Sequence, residues 1–161
     1  MQDRVRPATA ADQADITRLV HQARLNPRGL DWHGFVVAEA AGATVGVAQM
    51  RRHPDGSREL ASLVVLPEHR GRGVAGSMID ALLVDETGPV LTIVDRRYAQ
   101  HFARWDFRVL DAEDLPRSMA RQLRIGRVVT TIGSLLTRRR IRLVPLRRPP
   151  RQPSAVHPDK P

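Results

Sequence analysis

No cysteine occurs among the 161 residues. That excludes disulfides, thiolate metal centres, iron–sulfur clusters and a cysteine nucleophile. Lysine is nearly missing as well: of 26 basic residues only Lys160 is not arginine. The scarcity runs through every region, so it fits an arginine-favouring coding bias as well as selection for the planar fork that binds phosphate. Aromatic residues make up 4%, which provides no stacking platform for nucleic acid. No apolar run approaches the ~20 residues that a membrane span needs. The opening MQDRVRPATAADQADI lacks an apolar stretch and carries early acids, so no secretory signal is expected. Hydrophobic residues are 42% and mean hydropathy is −0.33. One cytoplasmic domain, an enzyme or a binding module, is the expectation.

The net charge of +9 is unevenly spread. Residues 1–115 hold fourteen arginines against sixteen acids, a net −2, whereas 116–161 hold eleven arginines and Lys160 against Asp159, a net +11. The basic third leaves open an anionic surface or nucleic acid as a partner, with affinity that would fall steeply with salt.

Arg4–Pro7 alternates as a short strand, and Thr9 stands as the N-cap of a helix carrying Ala14, Ile16, Leu19, Val20 and Ala23. Asn26-Pro27-Arg28-Gly29 breaks that pattern, and Leu30–Trp32 suggests a short second helix. Residues 35–39 and 44–50 form a hairpin about Ala41-Gly42-Ala43, and His53–Ser57 is a dense turn before a strand over 59–66. Met78, Ile79, Leu82 and Leu83 predict a helix over 73–86, ended by Gly88-Pro89. A strand over 90–94, a helix over 98–105 and a short strand over 107–110 follow. From Pro116 the chain reads as helical with a break near Gly126, and Ile141–Val144 suggests a last strand. Between them, Val128, Val129, Ile132, Leu135 and Leu136 make an apolar stripe flanked by Arg127 and Arg138–Arg140. Such a stripe can pack on the domain, on a second subunit or on an anionic membrane. Residues 1–146 are expected to form the domain, and the proline- and arginine-rich 147–161 a disordered tail.

The most informative stretch is the strand ELASLVVL, then PEHRGRGVAG, then a helix. A glycine turn that opens a helix is an anion site, because the first N–H groups lack partners and the helix dipole favours negative charge. Gly71-x-Gly73-x-x-Gly76 also satisfies the dinucleotide fingerprint, with Asp95 placed 19 residues on. Against that reading, Pro67–Arg70 separates strand from glycines, the preceding strands form an apparent antiparallel meander, and too few strand–helix units follow.

Arg70-Gly71-Arg72-Gly73-Val74-Ala75, after Leu63-Val64-Val65-Leu66-Pro67-Glu68, resembles the R/Q-x-x-G-x-G/A motif of the GNAT superfamily of N-acetyltransferases. His101-Phe102-Ala103-Arg104-Trp105-Asp106-Phe107 is similar to that family's F-Y-x-x-x-G-F segment. Asn26-Pro27-x-x-Leu30-x-Trp32, Glu59–Val65 and Asp114-Leu115-Pro116 resemble short proteins akin to the acetyltransferase domain of N-acetylglutamate synthase. The resemblance implies an α+β fold with a central, mostly antiparallel mixed sheet and helices on both faces. It implies acetyl-CoA as co-substrate and a small-molecule amine, an amino acid such as glutamate included, as acceptor. Nucleic acid and a membrane span are not expected, and a homodimer stays open.

By position, Arg70, Gly71, Arg72, Gly73, Val74, Ala75 and Gly76 would hold the pyrophosphate, and Leu63, Val64 and Val65 would pair with the pantetheine arm. A backbone amide there would polarise the thioester carbonyl. Glu59 is the candidate general base, on the face shared by Ala61 and Leu63 in a regular strand. The alternative for Glu59 is a solvated strand-end carboxylate. The family's thiolate-protonating tyrosine falls at Phe102, so Tyr98, the only tyrosine, is the candidate acid or else a packing residue. Arg28 could pair with an acceptor carboxylate. Trp32 would line the acceptor site or anchor a short helix. The six histidines lack metal-ligand spacing, so no metal is expected. A catalytically idle CoA-binding member of the fold is the competing function.

Overall fold

A computed structural model describes residues 4–126 and 141–151. The strands are β1 (Arg4–Pro7), β2 (Phe35–Ala40), β3 (Ala43–Arg52), β4 (Arg58–Val65), β5 (Val90–Asp95), β6 (Arg108–Val109) and β7 (Leu143–Arg148). The α-helices are α1 (Gln13–Gln22), α2 (Val74–Leu83) and α3 (117–126). The sheet runs β1-β2-β3-β4-β5-β7-β6. Every neighbouring pair is antiparallel except β4 and β5. The expected α+β architecture is therefore present.

α1 lays Ile16, Leu19 and Val20 on Phe35, Val37, Val47 and Val64. Met119 and Leu123 of α3 pack with Leu91 on that same face, further along the sheet. α2 covers the opposite face through Met78 against Val36, Ala38, Ala48 and Val65, and through Ile79 and Leu83 against Leu60, Val90 and Leu146. Helices thus sit on both faces, and β4 lies in the gap between α1 and α3.

Several expectations shift in detail. Thr9 precedes a single 3₁₀ turn (Ala10–Asp12) that feeds α1, and Asp12 Oδ2 accepts from both the Thr9 N–H (2.7 Å) and its hydroxyl (2.9 Å). The short second helix is a 3₁₀ turn over Trp32–Gly34. The helix expected over 98–105 winds instead as a 3₁₀ helix over Arg96–Trp105. Its core-facing residues Ala99, Phe102 and Trp105 recur every three positions, and a 3₁₀ helix eclipses i and i+3. β7 continues through Arg148, pairing Leu91 with Arg147 and Val90 with Arg148. The stretch expected to be tail from 147 therefore begins inside the sheet. The apolar stripe over Val128–Leu136 and the tail beyond Arg151 lie outside the described residues.

Candidate functional site

The parallel pair β4–β5 registers only at Glu59 and Leu91, reinforced by the Thr92 hydroxyl donating to the Leu60 carbonyl at 2.8 Å. Beyond that step the strands share no register. β5 continues against β7 and β4 against β3. The edge of β4 at Leu63–Val65 thus faces β5 without strand pairing, and an extended ligand could take its place. The pairing of β3 with β4 shifts between Val47 and Gln49, and Ser62 takes a φ of 53°. This bulge reverses the side-chain alternation. Leu63 packs toward the α2 face, while Glu59 and Val64 face the α1 side. The shared face expected for Glu59 and Leu63 is therefore corrected.

After β4, Pro67–His69 makes a 3₁₀ turn, and Arg70 Nε donates to the Val65 carbonyl at 2.9 Å, bracing the loop. Gly71 and Gly73 adopt φ of 75° and 85°, the left-handed conformation that glycine takes without a Cβ penalty. No atom lies within 4 Å of a Cβ built on either. Ser77 N–H makes the first intrahelical bond of α2, to the Gly73 carbonyl at 3.0 Å. The N–H groups of Val74, Ala75 and Gly76 precede it and point out of the helix, where an anion would be received. Arg72 is exposed on this turn. The structure thus brings the expected phosphate turn and the free edge of β4 to one end of the sheet.

Glu59 is not a solvated strand end. It is 2% exposed. Its carboxylate accepts from His53 Nε2 (2.9 Å), Gln122 Nε2 of α3 (2.7 Å) and Arg51 Nη1 (3.4 Å). Arg51 also donates to the Arg28 carbonyl (3.0 Å) and to Gln49 Oε1 (3.1 Å), and Gln49 Nε2 donates to the Gly29 carbonyl (2.5 Å). Ser62 Oγ reaches Gln49 Oε1 at 3.4 Å. A polar floor therefore fastens the 28–29 loop and α3 to β3 and β4. Gln49, Arg51, His53 and Gln122 were not among the candidates read from sequence. Gln49 and Arg51 alternate along β3 and His53 follows in step just past its end, a polar stripe on one face of a central strand, and that period was the available signal. Gln122 had none, since it meets Glu59 across 63 positions of chain.

Arg28 is exposed, and its backbone rather than its guanidinium makes the described contacts. Trp32 stacks on His33 (centroids 3.7 Å apart) and packs against the α1 cluster, as an anchor does. Tyr98 is 50% exposed, with Arg97 over its ring at 5.0 Å and His101 beside it. Phe102, at the tyrosine position of the resembled motif, is buried edge-on against Phe107 at 5.6 Å. Asp95 accepts from the Arg97 N–H and pairs with its side chain at 2.8 Å. The sheet is antiparallel at every pairing except β4–β5, which does not fit the parallel, doubly wound sheet of the dinucleotide alternative. A cavity of about 390 Å³ between Ser57, Arg58, Leu91, Leu110 and Arg147 lies at the other end of the sheet, by the start of β4 and β5.

No curated protein matches the sequence. Among solved structures, the chain superposes on N-acetylglutamate synthase from Neisseria gonorrhoeae complexed with coenzyme A and N-acetyl-glutamate. The TM-score is 0.69 at 16% identity over 94% of this chain. It spans 36% of the length of that chain. A Mycobacterium tuberculosis protein in complex with CoA matches with TM-score 0.66 and 20% identity over 90% of this chain and 98% of that one. The diaminobutyrate acetyltransferase of Paenibacillus lautus, in complex with L-2,4-diaminobutyric acid and coenzyme A, gives 0.60 and 15% over 92% and 95%. At these identities the likeness is one of fold. Residues 31–109, just under half of the chain, match the family model described as Acetyltransferase (GNAT) domain, a span that runs from Asp31 through the splayed strands and phosphate turn to β6.

Proposed function

We propose that the protein transfers an acetyl group from acetyl-CoA to the amine of a small molecule, amino acids being the first class to test. The observation that carries the reading is the continuity between the unpaired β4 edge at Leu63–Val65 and the left-handed glycine turn opening α2. An acyl-pantetheine arm lying along that edge would bond to backbone N–H and C=O groups, while its pyrophosphate meets the N–H groups of residues 74–76. A β4 amide then polarises the thioester carbonyl. Solved structures of the same fold hold CoA with N-acetyl-glutamate or with diaminobutyric acid, which supports the ligand class.

Glu59 is the proposed proton acceptor for the incoming amine. Its burial means that a water would carry the proton between amine and carboxylate. The nitrogen–carbon bond forms, the carbon–sulfur bond breaks, and CoA leaves as the thiolate. Tyr98 is the proposed donor to that thiolate. Arg28 and Trp32, on the loop latched to β3, border the acceptor side.

Two observations favour a second reading, a CoA-binding protein without turnover: Glu59 is enclosed by three donors, and buried Phe102 offers no proton. Calorimetry with acetyl-CoA together with thiol release across an amino-acid and diamine panel separates the readings. Binding with release supports transfer, binding without release supports the idle protein, and absence of binding removes both.

A further inference from the structure

We propose that Arg104 binds the phosphate on the 3′ oxygen of the CoA ribose, so that the protein selects CoA over 3′-dephospho-CoA; this rests on the CoA reading above. The N–H groups of Val74, Ala75 and Gly76 can receive only an anion lying on the extension of the α2 axis. Arg104 stands elsewhere. Its Nη1 lies 3.5 Å and its Cζ 3.9 Å from the point that a Cβ on Gly76 would occupy. Cβ positions lie on the flank of a helix, tilted toward its N-terminus. The guanidinium is therefore beside the first turn of α2, a short step off the axis on which the pyrophosphate would sit.

The placement is built from several contacts. Arg104 lies over the Trp105 ring with Cζ 4.4 Å from its centroid. Trp105 Nε1 donates to Asp80 Oδ1 at 2.6 Å. Asp80 is one helical turn after Gly76, on the same flank of α2. The Trp105 ring itself comes within 3.8 Å of the Gly76 Cβ point. The glycine thus leaves room for Arg104 and Trp105 to lie close against the helix.

Among the described residues the guanidinium makes no hydrogen bond. Its side chain is 64% exposed, and its ion contact, Asp80 Oδ2, is 3.9 Å away, beyond hydrogen-bond distance. Neighbouring arginines differ: Arg70 is committed to the Val65 carbonyl and Arg97 to Asp95. Two acids, Asp80 and Asp106, line the same cavity as Arg104 together with Arg148 and Arg151, and Trp105 already occupies one oxygen of Asp80. A ligand that sets a diphosphate at the tip of the helix and a further dianionic phosphate to its side fits this arrangement. CoA has both groups; its dephospho form lacks the second. Stacking on Trp105 holds the planar fork ready for two phosphate oxygens.

Calorimetry of the full chain with CoA and with 3′-dephospho-CoA tests the assignment, using wild type, Arg104→Gln and Arg104→Lys. Wild type should prefer CoA by about tenfold, a single charge-assisted contact. Arg104→Gln should weaken CoA to the level of dephospho-CoA and leave dephospho-CoA binding and melting temperature unchanged. Arg104→Lys should keep part of the preference. A preference that survives Arg104→Gln, no preference in wild type, or equal weakening of both ligands overturns the assignment while CoA binding itself stands. Wild type that binds neither ligand overturns the CoA reading, and this assignment with it.

Discussion

Gln122 donates to Glu59 Oε1 at 2.7 Å, joining α3 to the start of β4, the strand that carries the proposed thioester contacts. The same carboxylate holds His53 and Arg51. Glu59 is therefore both the proposed proton acceptor and the counter-charge of Arg51, whose side chain is 12% exposed.

Glu59→Gln preserves shape and removes both charge and basicity. kcat/KM should fall about 10²-fold, and the acidic limb of its pH profile should vanish. Acetyl-CoA affinity should hold, because the phosphate turn lies at the other end of β4. The melting temperature should also fall, since Arg51 loses its counter-charge while keeping its bonds to the Arg28 carbonyl and Gln49, a loss below the roughly 3–5 kcal/mol of a fully buried pair. A lower melting temperature with an unchanged rate and pH profile would confine Glu59 to a structural part. Tyr98→Phe, measured beside it, should lower kcat modestly without affecting stability, as the ring is half exposed.

Gly73 caps α2 at a φ of 85° with open space where a Cβ would stand. Gly73→Ala should therefore cost about 1–2 kcal/mol through the left-handed backbone alone. Gly73→Glu adds a negative charge where the pyrophosphate would lie. Acetyl-CoA affinity should drop about tenfold, or 1.4 kcal/mol, in a protein that remains folded. Unchanged affinity in folded Gly73→Glu would move the phosphate site elsewhere.

How far these sites could be read in the sequence depends on the range of the interactions that make them. The phosphate turn was legible because glycine conformation and helix capping are local, and Pro67, Gly71 and Gly73 announce them. The hairpin around Gly42 was legible for the same reason. The bulge at Ser62 was not, since an ordinary serine at φ 53° follows from the β3 pairing rather than from its own preference. That one residue reversed the face assigned to Leu63. The environment of Glu59 was hidden too, because His53 and Gln122 reach it from other elements. Arg104 lay inside a recognised segment, yet only folding brings it against Gly76.

Arg6 makes two bonds to Asp12, at 2.8 and 2.9 Å, and two to Glu39 Oε1, at 2.5 and 3.0 Å. The Arg6 guanidinium, helped by the Thr9 N–H and hydroxyl, holds the Asp12 carboxyl well below the usual carboxylate range. A carboxylate lowered in the folded state stabilises fully above its unfolded value near pH 3.9, and that contribution is lost as pH falls further. Stability should therefore decline from about pH 4 downward. Asp12→Ala should flatten that acid dependence and cost about 2 kcal/mol at neutral pH. Asp55, pulled down to about 2 by the Ser57 hydroxyl and then by that of Ser118, acts in the same direction, but it is exposed. Acid melts of wild type and Asp12→Ala that run parallel would contradict the assignment.

The last described strand bears on where the chain can be shortened. β7 pairs with β5 on one side from Leu143 to Arg148 and with β6 on the other. Leu146 is 1% exposed in the cluster under α2. Arg148 donates to the Glu86 carbonyl at 3.2 Å, and Arg151 N–H to the Thr87 carbonyl at 2.9 Å. A chain ending at Arg151 keeps all of these contacts and should melt and bind acetyl-CoA as the full chain does. One ending at Arg148 loses, among the described contacts, the Arg151 bonds to the Thr87 and Val84 carbonyls at an exposed edge, so its melting temperature should fall slightly. A chain ending at Arg142 loses the whole strand. β5 would then have an open edge opposite β4, β6 would have no partner, and Leu60, Val90 and Phe107 would lose cover from Leu146. Removal of a buried leucine alone costs about 2–5 kcal/mol, a large share of the roughly 5–15 kcal/mol that hold a domain folded. This chain should be insoluble or unfolded by circular dichroism. Cooperative melting of the 1–142 chain near the full-length temperature would show that the sheet is stable without β7.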